Sequence, residues 1–160
     1  MRVFRAIAIV IALGVPAVGS EPVPMKVVSV HDGDTLTALD AANVQHKIRL
    51  HGIDTPEIGQ AFGTKARDRL TALAKGKTAL IHVRDHDRYG RVVAGIEVAG
   101  DDLGHRLVAD GLAWHYTRYS NDTGLADAES DARAAGRGLW GDQEAVPPWE
   151  WRATEKDRKR

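Results

Sequence analysis

The clearest alternation in the sequence runs over residues 44–50. Val44, His46, Ile48 and Leu50 fall on one face, and Gln45, Lys47 and Arg49 on the other. A period of two marks a strand buried on one side. Residues 25–30, 35–39, 78–83 and 92–98 read as four more strands of similar length. Five strands this short cannot cover both faces of an open sheet, so a small closed barrel suits them best. Helical spacing appears three times. Phe62, Ala66, Leu70 and Leu73 predict a helix over about 60–74, ended by Lys75-Gly76-Lys77. Asp101 or Asp102 caps a short helix holding Leu103, Leu107 and Val108 and stopped at Gly111. Leu125, Ala128, Ala132 and Ala135 give the buried stripe of a third helix over 123–135. The expected fold is α+β, mainly β: a five-stranded barrel with three peripheral helices.

The first 20 of the 160 residues have another character. Arg2 and Arg5 precede an uncharged stretch from Ala6 to Ser20, which ends in Gly14, Pro16 and the small residues Ala17-Val18-Gly19. This is the layout of a secretory signal peptide cut after Gly19 or Ser20. It falls short of the ~20 apolar residues that a spanning helix needs. We expect an exported chain, periplasmic or secreted, monomeric and free of the membrane after cleavage. One domain fills 21–141, and 142–160 is a tail with Pro147-Pro148, Trp149, Trp151 and a basic end, Arg158-Lys159-Arg160. Cysteine is absent, which excludes disulfides, thiolate metal sites and a cysteine nucleophile. Lys and Arg number 22, as do Asp and Glu; removing Arg2 and Arg5 leaves 20 against 22, a net charge of −2. Any polyanionic partner must therefore be held by local charge.

Chemistry concentrates in three loops. The first carries Asp32 and Asp34, the second is Ile53-Asp54-Thr55-Pro56-Glu57, and the third is Asp87-Arg88-Tyr89-Gly90-Arg91. Asp34 and Asp54 lie at strand ends that a barrel can bring together. Two neighbouring carboxylates repel unless a cation sits between them, and oxygen ligands suit a hard ion, Ca²⁺ or Mg²⁺. Taken alone, Asp-Gly-Asp is equally a hairpin turn. Glu57, behind the rigid Pro56, is either a surface glutamate or a base that takes a proton from water. Arg49 and Arg91 carry planar forks that match a phosphate. They are otherwise a folding ion pair, with Asp54 or Glu57 for Arg49, and an exposed hairpin arginine. Tyr89 either stacks on a base or packs its own turn. Together these groups form the set that metal-assisted phosphodiester hydrolysis requires.

In order and spacing, His31-Asp32-Gly33-Asp34-Thr35, Ile48-Arg49-Leu50 through Ile53-Asp54-Thr55-Pro56-Glu57, and Asp87-Arg88-Tyr89-Gly90-Arg91 resemble the staphylococcal nuclease (thermonuclease) family. Gly111-Leu112-Ala113 and Gly138-Leu139-Trp140 resemble its later landmarks, so the likeness covers about 25–141. It implies an OB-fold barrel and a Ca²⁺-dependent, sugar-nonspecific endo- and exonuclease. The substrates would be DNA and RNA, preferably single-stranded, and the products 3′-phosphorylated. By position it implies Asp34, Asp54 and the Thr55 carbonyl as metal ligands and Glu57 as the base. Arg49 and Arg91 would clamp phosphate, Arg88, Tyr89 and Tyr116 would contact substrate, and Asp32 would be a carboxylate behind the ligands. The loop after Glu57 is short here, with no lysine-rich excursion. With a net charge of −2, binding would lean on Ca²⁺, Arg49, Arg91, Lys65, Arg67 and Arg69.

Seven histidines include no His-Glu-x-x-His, and we read them as surface or core residues. Trp140, Trp149 and Trp151 either pin the tail to the barrel or form a stacking tail for nucleic acid; pinning is the simpler reading. The contrasting function is a non-catalytic OB-fold module that binds single strands. Retention of Arg49, Glu57, Arg91 and both aspartates favours the enzyme. A third reading keeps the catalysis and restricts it to small phosphodiesters.

Overall fold

The computed structural model describes residues 17–19 and 21–159. The expected signal peptide lies outside the described residues except for 17–19. Strands β1 (Val23–Val30), β2 (Thr35–Leu39) and β3 (Gln45–Leu50) form an antiparallel meander. β1 also pairs with β5 (Thr78–His86), and β5 with β6 (Val92–Val98), both antiparallel. The barrel closes where β6 runs parallel to β3, with Ile48 opposite Val92 and Leu50 opposite Ala94. Two short strands, β4 (Ile53–Asp54) and β8 (Trp114–His115), pair beside it, and β7 (Asp101–Asp102) extends the β6 edge.

The alternation at β3 is realised. His46, Ile48 and Leu50 are buried, and Gln45 and Lys47 are exposed. Arg49 departs from its exposed neighbours because its side chain is only 15% exposed, held in an ionic network. Inside the barrel lie Met25, Val27, Leu36, Ile48, Ile81 and Ile96. The first three helices lie outside it: α1 (Gly63–Ala74), α2 (Leu103–Ala109) and α3 (Thr123–Ala134). They add Leu70, Leu103, Leu107 and Leu125 to the same core. Asp102 caps α2 as expected, accepting from the His105 amide at 2.8 Å.

The two-residue strands β4, β7 and β8 were not expected, and several boundaries and one helix also differ from expectation. β5 runs on to His86 through an irregularity between Val83 and Asp85, where polar residues continue the pairing beyond the core. α1 starts only at Gly63, after Phe62 adopts a left-handed φ of 67°. A fourth helix, α4 (Pro148–Arg158), follows the short 3₁₀ turn Gly138–Gly141 and occupies most of the expected tail. Pro147-Pro148 starts this helix, since proline suits the first helical turn, where its missing N–H costs nothing. Among the described residues no helix is long and apolar enough to cross a membrane.

Candidate active site

The turn between β1 and β2 closes tightly on the loop after β4. A Cβ at Gly33 would lie 2.6 Å from the Ala66 Cβ of α1 and 2.7 Å from the Thr55 Oγ1, so the close approach requires glycine. Asp34 is thereby fixed. Its Oδ2 accepts from the Thr55 amide at 3.0 Å and the Thr55 hydroxyl at 3.1 Å, and its Oδ1 accepts from the Thr35 hydroxyl at 3.0 Å. Asp32 accepts from the Asp34 amide at 3.0 Å.

Arg49 stands opposite Thr35 in the β2–β3 ladder. Its Nη1 pairs with the Asp34 Oδ1, and its Nη2 donates to the Asp54 Oδ1 at 3.0 Å and to the Ile53 carbonyl at 3.3 Å. The pairing of β4 with β8 holds Asp54 opposite Trp114. Asp34 and Asp54 are 6% and 1% exposed, and charges buried so deeply persist only when paired.

Glu57 sits on a loop braced by Gln60, whose amide donates to the Glu57 carbonyl at 2.8 Å and whose Oε1 accepts from the Glu57 amide at 3.2 Å. A Cβ at Gly63 would fall 1.8 Å from that carbonyl, so α1 starts hard against the loop. The Glu57 side chain is 41% exposed. Arg152 of α4 reaches it: Nη1 donates to the Glu57 Oε1 at 2.7 Å and to the Asp54 Oδ1 at 3.3 Å, and Nη2 donates to the Asp54 Oδ2 at 2.6 Å. From sequence, Arg152 figures only as an aid to the alternative stacking tail; its contacts with Asp54 and Glu57 were not expected. The one local hint was its place beside Trp149 and Trp151, and nothing local says where that segment docks.

The third loop is organised by Asp87, another residue without an expected role. Its carboxylate accepts from the amides of Tyr89 at 2.9 Å and Arg91 at 3.0 Å, and from the Arg91 Nε at 2.6 Å. Tyr89 is 69% exposed, with the Arg88 and Arg91 guanidinium groups 5.0 and 5.6 Å from its ring centre. Val92 pairs with Ile48 in the barrel seam, so Arg91 enters β6 beside the strand that carries Arg49. Tyr116 belongs to a separate aromatic group, stacked parallel on Trp149 with ring centres 5.1 Å apart. Trp149 also packs edge-on against Trp114. This contact pins the tail, in line with the simpler reading of its tryptophans. Arg67 and Arg69, expected to supply local positive charge, are paired with Asp68 and Asp110.

The structure thus joins Asp32, Asp34, Arg49, Asp54, Thr55 and Glu57 in one network. Arg88, Tyr89 and Arg91 form a second group beside the seam, and Tyr116 lies under α4. Burial pushes the Asp32 carboxyl up to about 6, aided by the charge on Asp34. Burial also raises Asp54, with Arg152 pulling the other way. At Asp34 burial acts upward too, but Arg49 and the Thr55 amide outweigh it and hold the carboxyl below its usual range. The same acids hold Arg49 above the usual arginine range despite its burial. Asp32, Asp34, Asp54 and Glu57 face only two guanidinium groups, Arg49 and Arg152, so the cluster carries more negative than positive charge. Asp34 and Asp54, bridged by Arg49, offer oxygen donors of the kind a hard divalent cation takes; among the described residues no group of three acidic or histidine side chains is gathered to hold a metal ion.

Residues 47–142 match the family model described as staphylococcal nuclease homologue. The chain belongs to that family. Among its relatives, an uncharacterized endonuclease of Haemophilus influenzae is 39% identical over 82% of this chain and 74% of its own length. An uncharacterized endonuclease of Escherichia coli is 38% identical over 79% of this chain and 83% of its own. Staphylococcal-like nuclease CAN1 of Arabidopsis thaliana is 39% identical over 69% of this chain; like other plant relatives it is much longer, and the match spans 34% of it. The stretch matching the staphylococcal nuclease homologue model carries Arg49, Asp54, Thr55, Glu57 and the Arg88–Arg91 loop. Asp32 and Asp34 precede it, and Trp149 and Arg152 follow it.

Proposed function

We propose that the chain is an exported, calcium-dependent nuclease that hydrolyses phosphodiester bonds in DNA and RNA with little preference for sugar or sequence. The observation that carries this reading is the single network of Asp34, Arg49, Asp54, Thr55 and Glu57, which sets two buried acids, a phosphate-matching arginine and an accessible carboxylate side by side. Asp34 and Asp54, with the Thr55 carbonyl, hold the cation, and Asp32 backs Asp34. When bound, a calcium ion supplies positive charge against the phosphate oxygens.

Glu57 takes the proton from the attacking water as its oxygen bonds to phosphorus. Arg49 and Arg91 donate to the equatorial oxygens, whose charge grows at the five-coordinate transition state. The bond to the 5′ oxygen breaks, and that oxygen leaves with the electron pair and takes up a proton. The phosphate remains on the 3′ side. Arg88 and Tyr89 contact a terminal phosphate, and Tyr116 a base. Base stacking on an aromatic ring such as Tyr116 supports single strands as the preferred form, since only an unpaired base can reach a ring. The leader-like residues 1–20 support export to the periplasm or the medium.

The test is digestion of heat-denatured DNA and of RNA, with Ca²⁺ and with a chelator, beside Glu57→Gln. Cutting that needs both the ion and Glu57 is expected. No cutting by folded, Ca²⁺-bound protein would leave a non-catalytic single-strand-binding module.

A further inference from the structure

Arg152 makes three hydrogen bonds, to both oxygens of Asp54 and to Glu57. One guanidinium therefore engages a candidate metal ligand and the candidate base together, and its planar fork suits two carboxylates at once. Trp149, three residues earlier, shares its helix face and stacks on Tyr116 with the ring planes within 1° of parallel. That face of α4 is therefore seated on the cation site and on the candidate stacking tyrosine. The segment leading into α4 is tied to the loop of the base, because the Gln60 Nε2 donates to the Val146 carbonyl at 2.6 Å while the Gln60 Oε1 holds the Glu57 amide.

The hold is light. Pro148 is the one fully buried residue of α4, and no residue of the helix belongs to the hydrophobic core. α4 can leave without opening the barrel.

We propose that α4 is a latch, and that Arg152 competes with the metal ion for Asp54 and so sets the cation affinity of the site. The inference rests on the reading of Asp34 and Asp54 as metal ligands. Latched, the chain's own cation occupies Asp54 and Glu57, and Trp149 covers Tyr116. Unlatched, all three face solvent. An ion that binds only the unlatched form is weakened in proportion to the latched population, so a site latched nine times in ten loses about tenfold in affinity.

Calorimetric titration of the full chain with Ca²⁺ tests this, using wild type, Arg152→Met and Trp149→Leu. Arg152→Met removes the competing charge. Trp149→Leu loosens the seat and leaves that charge in place. Both variants should bind Ca²⁺ about tenfold more tightly than wild type. In wild type, Ca²⁺ should also speed amide hydrogen exchange across α4. Tightening in Arg152→Met alone would reduce the effect to charge repulsion and overturn the latch, as would one affinity for all three proteins. Absence of Ca²⁺ binding in all three folded proteins would remove the metal reading itself, and the latch with it.

Discussion

Charge and shape separate at Glu57. Its backbone is held by Gln60 whatever the side chain carries, so Glu57→Gln keeps the loop and removes the proton acceptor. Turnover should fall by roughly 10²–10⁴-fold with the thermal midpoint little changed; single-turnover cleavage beside a melting curve checks both. Asp87 acts one step further from the phosphate. Burial raises its carboxyl, but the Arg91 amide and side chain and the Tyr89 amide outweigh this and hold it below the usual range. A depressed carboxyl contributes stability above its unfolded pKa, about 4, and loses it as pH falls through the lower folded value. Asp87→Asn should therefore flatten the wild type's loss of stability below about pH 4. At neutral pH it should cost about 1.5–3 kcal/mol, the range for hydrogen bonds to a charged group. Melting curves across the acid range check this, and an unchanged acid limb would contradict it. The roles of Asp34, Arg49, Asp54 and Glu57 were suggested by sequence because each sits at a strand end or beside a rigid proline, where local pattern fixes position. Arg152 was not, because its partners are 95 and 98 residues away and only tertiary docking brings them together.

Elements built on periodic apolar residues were readable; the two-residue strands β4, β7 and β8, too short to show a period, and the aperiodic α4 were not. β3 and α1 to α3 each show the core one face. α4 places Trp149 and Trp151 two apart, on different sides of a helix, so no stripe announces it. The junction of α1 with the Glu57 loop offers a test at this scale. Gly63→Ala sets a Cβ against the Glu57 carbonyl, so either the loop or the helix start must shift. A cost of about 1–3 kcal/mol, the usual range for overpacking, is expected in urea unfolding, together with a lower kcat. Wild-type turnover in a destabilised Gly63→Ala would show that the helix start does not position the base.

For the whole molecule, attraction to a polyanion has to come from one region. The chain's acids and bases balance, and Arg67, Arg69, Arg49 and Arg91 all hold internal ion pairs, so any of them must trade a carboxylate for a phosphate. If Arg49, Arg88 and Arg91 are the phosphate contacts, the logarithm of single-strand affinity should fall against that of salt concentration with a slope of about −2. Fluorescence anisotropy with Glu57→Gln measures it, and a flat dependence would exclude these arginines as contacts. The barrel was legible as five short strands; its parallel closure was not, because no local signal pairs β3 with β6 across the whole of β4, α1 and β5. That closure also sets a clock. Hairpins between neighbouring strands form early, while a contact that closes so long a loop comes late. Until β6 docks on β3, Arg91 is not yet placed beside the strand of Arg49. Cutting activity should therefore return only with the long-range pairings of the barrel, β1 with β5 and β3 with β6, and not with its hairpins.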